Sequence, residues 1–109
     1  MTRPQVYEVA AAQSKDQVLD AFAAALDFPD YFGRNLDALA DCLHDFAAAA
    51  SAPTTVVWRV DAGFETTRSY RLIREILAEV AAKSKQESPK AAVSFVLQEQ
   101  PPAPAVQRH

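Results

Sequence analysis

The run Thr54 to Val60, TTVVWRV, most constrains the fold. Its β-branched and aromatic residues suit a pleated strand. Its centre is apolar almost without alternation, which predicts burial on both faces, as inside a parallel sheet. Two shorter runs share this chemistry: Gln5 to Ala10, with Val6, Tyr7 and Val9, and Ala91 to Leu97, AAVSFVL. The stretches between them carry helical periodicity. Strands separated by helices require crossover connections, so the pattern predicts an α/β fold: a small three-stranded parallel sheet packed with helices.

The helices are marked by their ends. Ser14-Lys15-Asp16-Gln17 has capping-box spacing. Val18, Phe22, Ala25 and Leu26 then recur at i, i+4, i+7 and i+8, a stripe that faces a core. Pro29 pushes the residue before it out of the helical region, so this helix ends near Asp27. Pro29 to Arg34 is a loop, with Gly33 as the expected site of a positive φ. Asn35 stands as the N-cap of a second helix that runs toward Ala47–Ala50, and Ser51-Ala52-Pro53 stops it. After the turn Asp61-Ala62-Gly63, Thr66 or Thr67 caps a third helix from about Arg68 to Lys85. Tyr70, Ile73, Leu77 and Val80 are its core stripe, and Lys83 and Lys85 suit its C-terminal dipole. Residues 1–97 form one domain in this reading. Residues 98–109, with three prolines, form a disordered tail.

The second helix separates two chemistries. On a wheel of about 100° per residue, Leu36, Leu39, Cys42, Leu43 and Phe46 share one arc. Asp37, Asp41 and Asp45 share another, at i, i+4 and i+8, where like charges cost a few tenths of a kcal/mol. Between Asp27 and Phe46 there are five acids and one base, Arg34, so the segment carries −4 of a total −3. The rest of the chain sums to +1. An acidic patch this local is either a solvated helix face or a docking surface for a cationic partner. It is a poor footprint for nucleic acid.

Other constellations are weaker. Asp41 and His44 have the i, i+3 spacing of a metal-binding helix, but only Glu75 and Glu79 remain to complete a site. Cys42, the one cysteine, faces the apolar arc, which disfavours a thiol nucleophile. Two glycines cannot build a phosphate loop. Tyr31 and Phe32 are either core residues or exposed anchors for a partner. No apolar run reaches membrane-spanning length and no signal-peptide core opens the chain. A cytoplasmic, non-enzymatic protein with no cofactor and no metal is the expectation.

The stretch Pro29-x-Tyr31-Phe32-Gly33-x-Asn35-Leu36-Asp37-Ala38-Leu39-x-Asp41-Cys42-Leu43 closely resembles the barstar family of intracellular ribonuclease inhibitors. Val57-Trp58-Arg59 is a second, fainter echo. The resemblance implies the same three-stranded parallel sheet. It implies a proteinaceous inhibitor, of antitoxin or immunity type, that blocks a guanyl-specific or related toxin ribonuclease with its acidic helix and adjoining loop. Tyr31, Asp37 and Asp41 fall on the family's main contact positions, and Glu75 matches a contributing glutamate. Gly33, Asn35 and Asp45 complete the expected partner-binding set. The implied partner is a basic ribonuclease, bound by a protein that is monomeric when free and touches neither nucleic acid nor membrane. The chain departs from the family's namesake in its long Ala-rich exit from the second helix, in its Pro-rich tail, around Glu75, and at three positions of the acidic segment. Ala40 replaces a large aromatic, Asp45 a glycine and Arg34 an acidic residue. The alternative these departures allow is a non-catalytic interaction module of the same fold with a different basic partner.

Overall fold

The computed structural model describes residues 3–29 and 33–100. Tyr31 and Phe32 lie outside the described residues, as does 101–109 of the expected tail. The elements are β1 (Gln5–Val9), α1 (Lys15–Leu26), α2 (Leu36–Ala49), β2 (Thr54–Asp61), α3 (Arg68–Glu87) and β3 (Val93–Gln100). Single 3-10 turns, Phe64–Thr66 and Pro89–Ala91, flank α3. The sheet order is β1-β2-β3 and both pairings are parallel, as the strand-and-helix alternation predicts. No helix among the described residues is long and apolar enough to cross a membrane.

Local chemistry sets the helix starts. Ser14 Oγ accepts the Gln17 N–H at 3.2 Å, and Thr67 Oγ1 accepts the Tyr70 N–H at 3.2 Å. Each satisfies a donor that the first turn leaves without an intrahelical partner.

One face of the sheet makes the core. Val9 on β1, Val56, Trp58 and Val60 on β2 and Val93 on β3 are buried against Phe22 of α1, Leu39 and Leu43 of α2, and Ile73 and Leu77 of α3. Trp58 is fully buried at the centre, and its ring lies 5.5 Å from Phe22, 6.2 Å from Phe64 and 5.7 Å from Tyr70, centroid to centroid. Its indole N–H has no acceptor among the described residues.

The expectation that β2 is buried on both faces is corrected. Burial alternates along it: Thr54, Val56, Trp58 and Val60 are buried, while Thr55, Val57, Arg59 and Asp61 are half-buried. The apolar residues of all three helices join the inner face in one cluster, and no outer-face strand residue belongs to it. The outer face therefore leaves Val6 67% and Val96 48% exposed. Arg59 bridges that face, its Nε donating to Glu8 Oε1 at 3.1 Å. A run of valines cannot reveal which of its faces the helices cover. β3 also extends past Leu97, since Gln98, Glu99 and Gln100 pair with Arg59, Val60 and Asp61 of an equally long β2.

Ser84 is a buried polar residue on the inner side of α3, 5% exposed. Its Oγ accepts the Val93 N–H at 2.8 Å, tying the last turns of α3 to the start of β3. Ser84→Ala leaves that N–H buried without a partner, which costs about 1–3 kcal/mol. Urea denaturation of the variant is expected to show a lower midpoint at an unchanged slope, and an unchanged midpoint would refute the role.

Candidate functional site

The site is built where α1 turns into α2. Asp27 caps α1 in the left-handed region, at φ 54°, and its N–H donates to the Ala23 carbonyl. Phe28 follows, half-buried, its N–H donating to the same carbonyl at 3.0 Å. The chain leaves α1 sharply here and Pro29 prevents its continuation.

Gly33 does not carry the expected positive φ. Among the described residues that conformation falls on Asp27 and Arg34, the latter at φ 48°, and on no glycine. Gly33 serves instead by being small. A Cβ there would stand 3.2 Å from Asn35 Nδ2 and 3.6 Å from Ala38 Cβ. The space belongs to the helix cap: Asn35 Oδ1 accepts the Ala38 N–H at 2.8 Å, and its Nδ2 donates back to the Gly33 carbonyl at 3.2 Å. The left-handed backbone at Arg34 costs about 1 kcal/mol or more for a residue with a Cβ. It comes with a two-point ion pair, Arg34 Nε to Asp20 Oδ1 at 2.9 Å and Nη2 to Asp20 Oδ2 at 2.9 Å.

From Asn35 onward the two faces separate as the wheel predicts. Leu39, Cys42, Leu43 and Ala47 are buried, with Leu36 and Phe46 half-buried. Asp37, Asp41 and Asp45 are exposed, and none has a hydrogen bond or ion pair with a described residue. Asp37 stands in the first turn, where the helix dipole favours a negative charge. Asp37, Asp41 and Asp45 thus form one exposed stripe along α2, with the exposed Gly33 and Asn35 just ahead of it in the chain. Asn35 acts there as the cap, with both polar atoms of its side chain engaged.

Glu75 is exposed on α3, the helix that packs against α2. It lines a surface groove of about 370 Å³ with Arg71, Arg74 and Ala78, none of which belongs to α2. The two helices also meet through a polar pair, His44 Nε2 standing 3.8 Å from Glu79 Oε1. Among the described residues no three or more His, Cys, Asp and Glu side chains are grouped to hold a metal ion.

The Asp20–Arg34 pair is the feature that the sequence pattern missed. The two residues are 14 apart across a loop, beyond the reach of any local spacing rule. The one available signal was that Arg34 is the lone base of the acidic segment.

Burial encloses all but 9% of Cys42, which lines a groove with Leu26, Phe28, Pro29 and Phe46 and with the acids Asp27 and Asp45. Burial raises its thiol pKa, and the charges of Asp45 and then Asp41 raise it further. A thiol kept protonated is a poor nucleophile. The folded value lies above the unfolded one, so this group's contribution to stability is full below the ordinary thiol range and is lost as pH rises through it. Iodoacetamide is expected to modify native Cys42 more slowly than the urea-unfolded chain at pH 8, with the gap narrowing at higher pH. Equal rates at pH 8 would contradict the enclosure.

The profile of the family described as Barstar (barnase inhibitor) matches residues 4–97, nearly the whole chain. A Bacillus subtilis (strain 168) protein described as "Putative ribonuclease inhibitor YrdF" is 89% identical over 18 residues, which is 16% of this chain and 20% of that protein. The matched stretch thus spans about a fifth of that relative's length.

Proposed function

Because this chain belongs to the family described as Barstar (barnase inhibitor), we propose that it is a proteinaceous inhibitor, of antitoxin or immunity type, that occludes the active site of a guanyl-specific or related ribonuclease. The observation that carries this reading is the exposed stripe of Asp37, Asp41 and Asp45, uncommitted to any described residue and borne by a helix that is capped and packed.

A ribonuclease site holds phosphate with cationic side chains. Carboxylates on a rigid helix can take the places of phosphate oxygens and accept charge-assisted hydrogen bonds from arginine and lysine. The order is already present in the free inhibitor, so little is lost on association. The local −4 segment raises the encounter rate with a basic surface at low salt. In this reading Asp37 and Asp41 are the central contacts, Tyr31 contributes from the loop, and Glu75 reaches the edge of the partner from α3. Gly33 and Asn35 hold the strip in shape, and Asp45 extends it. The protein itself performs no catalysis. It acts in the cytoplasm, as a monomer until it meets its target.

A titration of guanyl-specific ribonuclease activity tests the proposal. Wild type is expected to inhibit stoichiometrically. Asp41→Ala leaves a partner cation buried without its counter-charge, a loss on the order of 100-fold in the inhibition constant. Asp16→Ala, at an exposed acid in the first turn of α1 that has no ion pair with a described residue, is expected to change it by less than about threefold. Tight inhibition that survives Asp41→Ala would remove the mechanism. Absence of inhibition across basic ribonucleases would favour the alternative, an interaction module for another basic protein, to which the departures at Arg34, Ala40 and Asp45 also point.

A further inference from the structure

We propose that Asp20 is a positioning residue for partner recognition, acting through Arg34: it holds the guanidinium against α1 and so keeps the one base of the acidic segment off the aspartate stripe. The inference rests on the reading of that stripe as the surface that meets a cationic partner.

Arg34 is the only base between Asp27 and Phe46. It lies directly before the cap Asn35 and three residues before Asp37, whose exposed carboxylate has no hydrogen bond or ion pair with a described residue. An arginine swung onto that carboxylate would neutralise a central acid of the stripe and oppose an incoming cation. The structure has it elsewhere. Both ends of the guanidinium fork meet Asp20, each at 2.9 Å, and the left-handed backbone at φ 48° belongs to the same arrangement. Asp20 sits on α1, outside the acidic segment, and its charge cancels that of Arg34 where it stands.

Magnitudes separate this role from a structural one. The two side chains are 53% and 55% exposed. An ion pair so open to water contributes about 1 kcal/mol or less to folding. A charge at the rim of an interface acts chiefly on association rate and its salt dependence. The larger consequence of losing Asp20 is therefore expected in recognition.

The test uses the full chain with Asp20→Asn, Arg34→Gln, the double variant, and Asp16→Asn as a control for lost negative charge. The three substituted side chains are exposed, where substitutions shift stability by no more than about 0.5 kcal/mol and leave the fold intact. Two cationic probes are measured at low salt: an octalysine peptide by titration calorimetry and a guanyl-specific ribonuclease by stopped-flow association. Asp20→Asn is expected to weaken the first and slow the second by about three- to tenfold, against less than about twofold for Asp16→Asn. The double variant restores both to within about twofold of wild type, and Arg34→Gln equals or exceeds wild type. Asp20→Asn no worse than Asp16→Asn overturns the inference. So does a double variant as impaired as Asp20→Asn, because the fork would then matter only for shape. An octalysine series that holds while no ribonuclease is inhibited removes the choice of partner and leaves the inference standing. Tight inhibition with a flat series does the reverse.

Discussion

Trp58 is where the three layers of contact meet. It projects from the middle strand, and its ring is flanked by Phe22 from α1, Phe64 from the 3-10 turn and Tyr70 from α3. Aromatic pairs at such separations contribute about 0.5–1.5 kcal/mol each beyond the area they bury. Around that ring the inner faces of β1 and β3 and the apolar stripes of α1, α2 and α3 close into a single cluster. The helices are held on one side of the sheet, and this decides which surfaces remain free. The outward side of α2 is one of them.

That loop is short of freedom at both ends. Asp27 and Arg34 both adopt left-handed backbone, and each conformation is matched by contacts: the Asp27 N–H returns to the last turn of α1, and the Arg34 side chain returns to Asp20. Asn35 then locks the first turn of α2 through both its amide atoms. The entry to the acidic helix is therefore specified by side chains that α1 and the cap supply. From Gly33 onward the described backbone enters α2 along a path set by these contacts.

How much of this was legible in the sequence depended on the range of the interaction. Ser14, Asn35 and Thr67 were readable as caps because a cap works across three residues. The aspartate face of α2 was readable because helical spacing is local. Gly33 was misread because a glycine in a loop suggests positive φ, whereas the constraint on it is the nearness of Asn35 and Ala38. The outer face of β2 was misread because periodicity cannot count the layers on each side of a sheet. Ser84 with Val93 and Asp20 with Arg34 went unseen because each joins two elements, and only the packed chain brings their atoms together.

Stability alone neither requires nor opposes the carboxylate stripe. Aspartates four residues apart repel by a few tenths of a kcal/mol per pair. The dipole favours Asp37 in the first turn and has largely fallen off at Asp45, which stands before the last turn. On the other side of the same helix Leu39 and Leu43 are fully buried, each contributing about 1.5–3 kcal/mol by transfer from water. The apolar face outweighs the charged face severalfold, so α2 is held by the core whichever polar residues it turns outward. Three acids at i, i+4 and i+8 on such a helix are then free to be set by what the helix meets. The same reasoning applies to Arg34, whose open ion pair adds little to folding but determines which charge the end of the strip presents.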